Sequence, residues 1–439
     1  MYARVVLIVT TSMSLLTIQQ DLGAQTLVTV PGGANESASR DVPASGAVAF
    51  AGFSTPYHGG PYESEHPNVK CNYSPKYGHD GSCGRECLYA GDFPGAFLVP
   101  GTCTSLKFGG YTKFDLIRDF DAIGNTDKFD TTTIPTNGMR HQNWRLHARQ
   151  TRLNMDLRSQ TEIGDARGFI EGDFFGSGNT FQLRHAYAEV GPVLAGQTWT
   201  TFMDEATLPA ILDYENPIGM MFNRRAMLRW TQSLGLLDGL EYALAIEDPS
   251  PVFSSAAGIY ESELPDFVGR LRYKHDRFHL QAAGFSSRAS FTPAVGLPSD
   301  DNAWGFSFTG SVKIFEADKF TFQYSWGDGI EGFRGLQRFT LTPAGALAAV
   351  PSTAWMVTYQ HQWCDRWKSS FVYSVVDVGN PSGTSTALKG TEYVSANILW
   401  KPVDQIQVGL EYLHGVRDDQ DNNSGTANRL QFAVWYFLP

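Results

Sequence analysis

From Ser105 to the end, the chain repeats one pattern: runs of about ten residues in which apolar and polar positions alternate, as along a strand with two unlike faces. One parity of these runs carries Phe108, Phe114 and Leu116, then Leu153, Met155 and Leu157, Leu228 and Trp230, Leu244 and Ile246, Phe267 and Leu271, and later Trp304, Phe306 and Phe308. The other parity carries Lys113 and Asp115, Arg152 and Asp156, Arg225 and Arg229, Glu241 and Glu247, Arg270 and Arg272. Seven short connections, at residues 161–166, 191–192, 234–238, 275–276, 316–319, 364–366 and 401–404, alternate with eight mostly longer ones, at 119–144, 176–180, 201–224, 248–265, 287–302, 327–352, 377–390 and 414–427. Together they divide the chain into sixteen strands. An even number of antiparallel strands, with short turns at one end and longer loops at the other, is expected of a barrel that crosses an outer membrane. A soluble sandwich has no reason to sort its connections by length or to set its aromatics opposite its charges. The fold class is therefore all-β: a 16-stranded antiparallel transmembrane β-barrel with an irregular N-terminal extension.

The start of the chain has the layout of an export signal. Arg4 precedes an apolar stretch over residues 5–16, and Leu22-Gly23-Ala24 offers small residues for cleavage ahead of Gln25. The stretch is shorter than the roughly 20 residues a spanning helix needs, and no later run reaches that length uninterrupted. Residues 1–24 are thus assigned to a signal peptide, 25–104 to a periplasmic extension rich in Gly, Pro, Ser and Ala, and 105–439 to the barrel. Cys71, Cys83, Cys87 and Cys103 fall in the extension. In an exported chain such a cluster reads as disulfides, with zinc as the sharper alternative. Cys364 is the odd one, either a free thiol or a partner that pins the extension. With 34 basic residues against 45 acidic, the net charge of −11 argues against nucleic acid as a partner.

The chain carries no GxSxG, HExxH, P-loop or dinucleotide-binding motif, so it is not read as an enzyme, and no cofactor or metal site is assigned. His185 and His361 fit structural or lumen-facing roles. Residues 418–423 imitate a calcium loop but lack its sixth-position Gly and twelfth-position Glu, so a solvated loop is the better reading. Aromatics gather near the ends of the runs, at Trp199, Phe202, Trp230, Trp304, Trp326, Trp355, Trp363, Trp367, Trp400, Trp435 and Tyr436, as girdles at the two lipid interfaces would.

The phrases FPGAFLVPGTCTSLKFGGYTKFDLIRD (93–119), RQTRLNMDLRSQT (149–161), FIEGDFFG (169–176) and LRHAYAEVGPVLAGQTWTTFMD (183–204), with Arg224-Arg225 ahead of the sixth strand, carry a resemblance. Over residues 93–235 the chain is similar to the DcaP-type trimeric porins of Gram-negative outer membranes; beyond that the similarity is one of pattern. The resemblance implies a homotrimer in the bacterial outer membrane that passes small hydrophilic solutes, mostly anions such as dicarboxylates. Two departures stand out: the extension is Gly/Pro-rich with cysteines where that family has a coiled coil, and Leu438 and Pro439 follow the aromatic-terminated last strand.

A porin's site is its constriction. The third long connection, residues 201–224, carries Asp204, Glu205, Asp213 and Glu215, with Pro209 and Pro217 to stiffen it, and is the natural loop to fold inward. Facing it, Arg152, Arg158, Arg225, Arg229, Arg270 and Arg272 would line the wall on the polar parity and favour anions. Arg149 falls on the apolar parity, which requires a bulge or a subunit interface, and Arg184 lies in a run where neither parity is clearly apolar. The alternative function is a non-conducting structural or adhesive barrel plugged by its extension; a soluble glycan-binding module is a third.

Overall fold

The computed structural model of the protein describes residues 91–438, apart from 101, 139, 163, 250–257 and 316. The signal peptide, Cys71, Cys83, Cys87 and most of the extension lie outside the described residues. Sixteen antiparallel strands close into one barrel. They are β1 (Thr104–Asp119), β2 (Asn143–His147 continued by Arg152–Thr161), β3 (Gly164–Asp173), β4 (Gln182–Val190), β5 (Val193–Trp199), β6 (Arg224–Ser233), β7 (Leu240–Glu247) and β8 (Asp266–Lys274). The second half comprises β9 (Phe278–Pro293), β10 (Ser299–Ile314), β11 (Asp318–Asp328), β12 (Pro351–Cys364), β13 (Trp367–Val378), β14 (Leu388–Val403), β15 (Ile406–Asp419) and β16 (Ser424–Phe437). Each strand pairs with the next, and β16 returns to β1 with Phe114 opposite Val434 and Leu116 opposite Phe432, so no edge is left open.

The alternation decides which way each strand faces. Phe108, Leu153, Leu228, Leu244, Phe267, Phe306, Phe371 and Leu410 are exposed on the outer wall, whereas Lys113, Asp156, Glu171, Glu189, Arg229, Gln281, Thr309 and Glu411 are buried on the inner one. An outer face this apolar is stable only against lipid. Tryptophans 230, 304, 326, 363, 367 and 400 sit on that face as expected of interface girdles, while Phe202 and Trp435 turn inward, Trp435 beneath the Lys113 ammonium at 4.6 Å.

Seven turns join the strands at one end and eight loops, here L1 to L8, at the other. The fifth and eighth loops are shorter than the sequence suggests, because β9 and β10 run on to Pro293 and from Ser299, and β15 and β16 to Asp419 and from Ser424. Three loops do what solvated loops do not: L1 (120–142), L3 (200–223) and L6 (329–350) enter the barrel and build an apolar core within it. L1 contributes Phe129 and Ile134, L3 contributes Phe202, Met203, Met220 and Met221, and L6 contributes Ile330, Phe333, Phe339 and Leu347. At about 1.5–3 kcal/mol per large side chain, this burial is ample reason for the loops to stay inside. The wall makes room for them: a Cβ on Gly415 would come within 2.6–3.1 Å of Thr131, Ile134 and Phe129.

Candidate functional site

L3 leaves β5, crosses the lumen and is fastened to the far wall by its backbone. The Glu411 carboxylate on β15 accepts from the amides of Leu212 (2.5 Å) and Asp213 (3.1 Å). Lys113 on β1 donates to the Leu212 carbonyl at 2.6 Å, Asn397 on β14 to that of Ala210 at 2.8 Å, and Lys319 on β11 to that of Ala206 at 2.6 Å. The Gly219 amide reaches Ser374 on β13 at 2.5 Å. Charge-assisted bonds of this kind hold a loop far better than neutral ones.

Of the four loop acids expected at the constriction, three are fasteners. Asp204 is buried, accepting from Thr309 at 2.6 Å and facing His279 Nε2 at 2.9 Å. Burial opposes its ionisation, but the His279 bond, the His279 charge and the Arg272 charge outweigh it and bring the carboxyl down to about 2. Asp213 accepts from the Phe129 amide at 2.9 Å and so ties L3 to L1; burial pushes its carboxyl up. Glu215 pairs with Lys128 of L1, and burial raises it to about 7 in spite of that partner. Glu205 alone is exposed, within electrostatic reach of Arg229 and Arg270.

The arginines divide likewise. Arg229 makes no ion pair among the described residues, and its buried Nε has no hydrogen-bond partner. Arg270 and Arg272 share the Glu241 carboxylate at 3.7 and 3.4 Å, and Lys274 reaches the same group at 3.9 Å. Arg152 stands 3.4 Å from Glu171 with its guanidinium over the Tyr111 ring. Two expectations need correcting. Arg225 does not face water: its side chain has no exposure, because Asp266 takes it at 2.5 Å and the Gly332 carbonyl of L6 at 2.8 Å. Arg158 sits at the turn end of the lumen, half exposed, paired to Asp156 at 2.8 Å and stacked over Phe93.

The two anomalous arginines now have reasons. A register shift opposite Glu171 bulges β4 so that Arg184 and His185 both turn inward, which erases the alternation there. Arg184 bonds Asp173 at 2.6 Å and Glu171 at 3.2 Å. Arg149 lies where β2 is interrupted between His147 and Arg152, and it reaches Asp127 of L1 and the carbonyls of Phe175 (3.0 Å) and Gly176 (2.8 Å). Sequence reasoning passed over Glu411, Asp266 and Arg338, all buried polar groups that fasten loops. Cys103 is disulfide-bonded and Cys364 is free and exposed. Asp419, in the stretch that imitates a calcium loop, is taken by Arg417 and Thr136 instead.

A closed sixteen-stranded barrel with an apolar outer wall, a charged inner wall and a loop pinned across its lumen defines an outer-membrane porin. The family model described as DcaP outer membrane protein matches residues 98–437, and the chain belongs to that family and to the bacterial outer membrane. Among solved structures it is similar to the outer membrane channel DcaP of Acinetobacter baumannii, with 20% identity and a TM-score of 0.71 over 78% of this chain and 99% of that one. It is also similar to an anion-selective porin from Comamonas acidovorans (10% identity, 76% and 100% coverage, TM-score 0.53). A trimer form of OmpT from Vibrio cholerae follows at 12% identity, 76% and 100% coverage and a TM-score of 0.50. Comparison with curated proteins finds no match.

Proposed function

We propose that the protein lets small hydrophilic solutes diffuse passively across the outer membrane, favours anions, dicarboxylates among them, and works as a homotrimer. The observation that carries the anion preference is the surplus of positive charge on the inner face of β6 to β8. Arg229, Arg270, Arg272 and Lys274 stand there against two wall carboxylates: Glu241, shared by the last three, and Glu247, which is taken by Thr200 and the Thr201 amide, while Asp204 is held by His279 and Thr309 and lies 3.9 Å from Arg272. In a narrow, partly desolvated lumen, such cations replace hydration around a carboxylate and raise its local concentration. The loop acids Asp204, Asp213 and Glu215 are engaged in fastening L3, which leaves Glu205 as the exposed loop acid facing these cations. The homotrimer draws support from trimeric porins of the same fold and from the chain's family.

The test is uptake into liposomes loaded with the purified protein. A four-carbon dicarboxylate should enter several-fold faster than a diamine of the same length, and Arg229→Gln with Arg270→Gln should abolish the difference. Equal rates in the wild type would reject the anion preference, and no uptake of either would favour the plugged, structural barrel.

A further inference from the structure

L6 enters the barrel on a polar clasp that is built on Asp266 and also takes one bond from the end of L3. Asp266, at the loop end of β8 and fully buried, accepts from Arg225 of β6 at 2.5 Å and from Arg338 of L6 at 2.6 and 2.8 Å. The same Arg225 holds the Gly332 carbonyl of L6 at 2.8 Å, and Asn223, the last residue of L3, holds it at 3.2 Å. Between these bonds Phe333 is driven into the lumen, fully buried, with its ring 4.6 Å from Phe202 of L3 and 4.6 Å from Phe285 of the β9 wall. Both guanidinium groups lie over that ring, at 4.3 Å for Arg225 and 5.0 Å for Arg338. On the β10 wall, Gly305 leaves the seat that Ile330 fills; a Cβ there would stand 2.4 Å from the Ile330 side chain. The base of the loop is closed by the bond from the Gly329 amide to the Val350 carbonyl at 2.8 Å.

A loop attached only to its neighbours above the barrel would need none of this. Two arginines on one buried carboxylate are costly to desolvate and hold only while all three groups stay together. Removing the carboxylate leaves two buried cations with nothing to pair, so the loop must move. We propose that L6 is a second constriction element, latched by Asp266 and wedged by Phe333, and that it sets the free cross-section of the lumen together with L3. The latch makes Asp266 a positioning residue and Phe333 the group that takes up the space. The proposal rests on the porin reading, since it concerns how wide the path is.

The experiment compares single-channel conductance and the size limit for neutral sugars in the wild type, Asp266→Asn, Phe333→Ala and a variant in which residues 331–348 are replaced by a short Gly-Ser turn. The last keeps Arg225 paired with Asp266 and removes Arg338, so it remains a fair variant should Asp266→Asn fail to fold. Folding is checked by the mobility shift of unheated samples on detergent gels. The proposal expects conductance to rise roughly twofold in the loop-replaced variant and by less in Phe333→Ala, with larger sugars admitted. Asp266→Asn should add open-channel noise as the freed loop moves in and out. Folded variants with wild-type conductance and size limit would overturn the proposal while leaving the porin reading intact. A silent wild type beside conducting variants would support the wedge, and silence in all of them would overturn both.

Discussion

The residues that matter most in this lumen act on the backbone of a loop before they act on any solute. Glu411 is the clearest case, since its carboxylate satisfies two consecutive amides of L3. Glu411→Ala should loosen the loop by about 2–4 kcal/mol, two charge-assisted bonds at roughly 1.5–3 each less what water recovers. The sign would be a rise in conductance and faster proteolysis between residues 206 and 216 in the folded barrel. Glu215 makes a pH prediction. Its folded pKa of about 7 lies above the ordinary carboxylate value of 4.5, so it is neutral at pH 5 and negative at pH 8. Acidification therefore removes a negative charge at the L1–L3 contact, and anion preference should rise from pH 8 to 5 with a midpoint at about pH 7. Reversal potentials across that range, in the wild type and in Glu215→Gln, check it; a variant that keeps the midpoint would assign the titration elsewhere. For stability the sign is the same: the favourable contribution of the protonated group is complete below 4.5 and lost as pH rises through about 7.

At the scale of single elements, the strands were legible and the loops were not. Alternation is a local property, so β6 shows both its faces in Ala226, Leu228 and Trp230 against Arg225 and Arg229, and the seven turns and eight loops fall where their separators stand. The alternation makes a direct prediction. Leu244→Arg, on the lipid face of β7, should destabilise the barrel by about 2–4 kcal/mol in urea, while Ala245→Arg on the inner face of the same strand should change lipid-phase stability far less and conductance more. Equal destabilisation by the two would contradict the assigned orientation. What alternation cannot show is the course of a loop. The inward course was expected for L3 alone, yet Phe129 of L1 and Ile330, Phe333 and Phe339 of L6 join Met220 and Met221 of L3 in an apolar core that only the closed barrel creates. The clue was present in composition: residues 200–223 and 329–350 hold more Ile, Leu, Met and Phe than solvated loops tolerate. Where pairing itself slips, as at the β4 bulge, parity fails and Arg184 becomes ambiguous for a physical reason.

For the whole molecule, the charges of the candidate site sort into two classes that the sequence does not distinguish. Arg225 and Arg229 are four residues apart on one strand and one face, yet the first is sealed in the Asp266 clasp and the second has no counter-ion among the described residues. The difference comes from Asp266 of β8, which pairs with Arg225, and from the Gly332 carbonyl of L6, which bonds the same guanidinium. On the proposed function, selectivity depends on which cations the wall carboxylates and inward loops leave unpaired, and those around Glu241 outweigh the acids left exposed. The measurement that tests this most directly is the zero-current potential of the detergent-purified protein in a planar bilayer under a salt gradient. Open channels are expected, with an anion-selective potential that collapses toward zero in Arg229→Gln with Arg270→Gln. A cation-selective potential in the wild type, or one unmoved by removing both arginines, would contradict it.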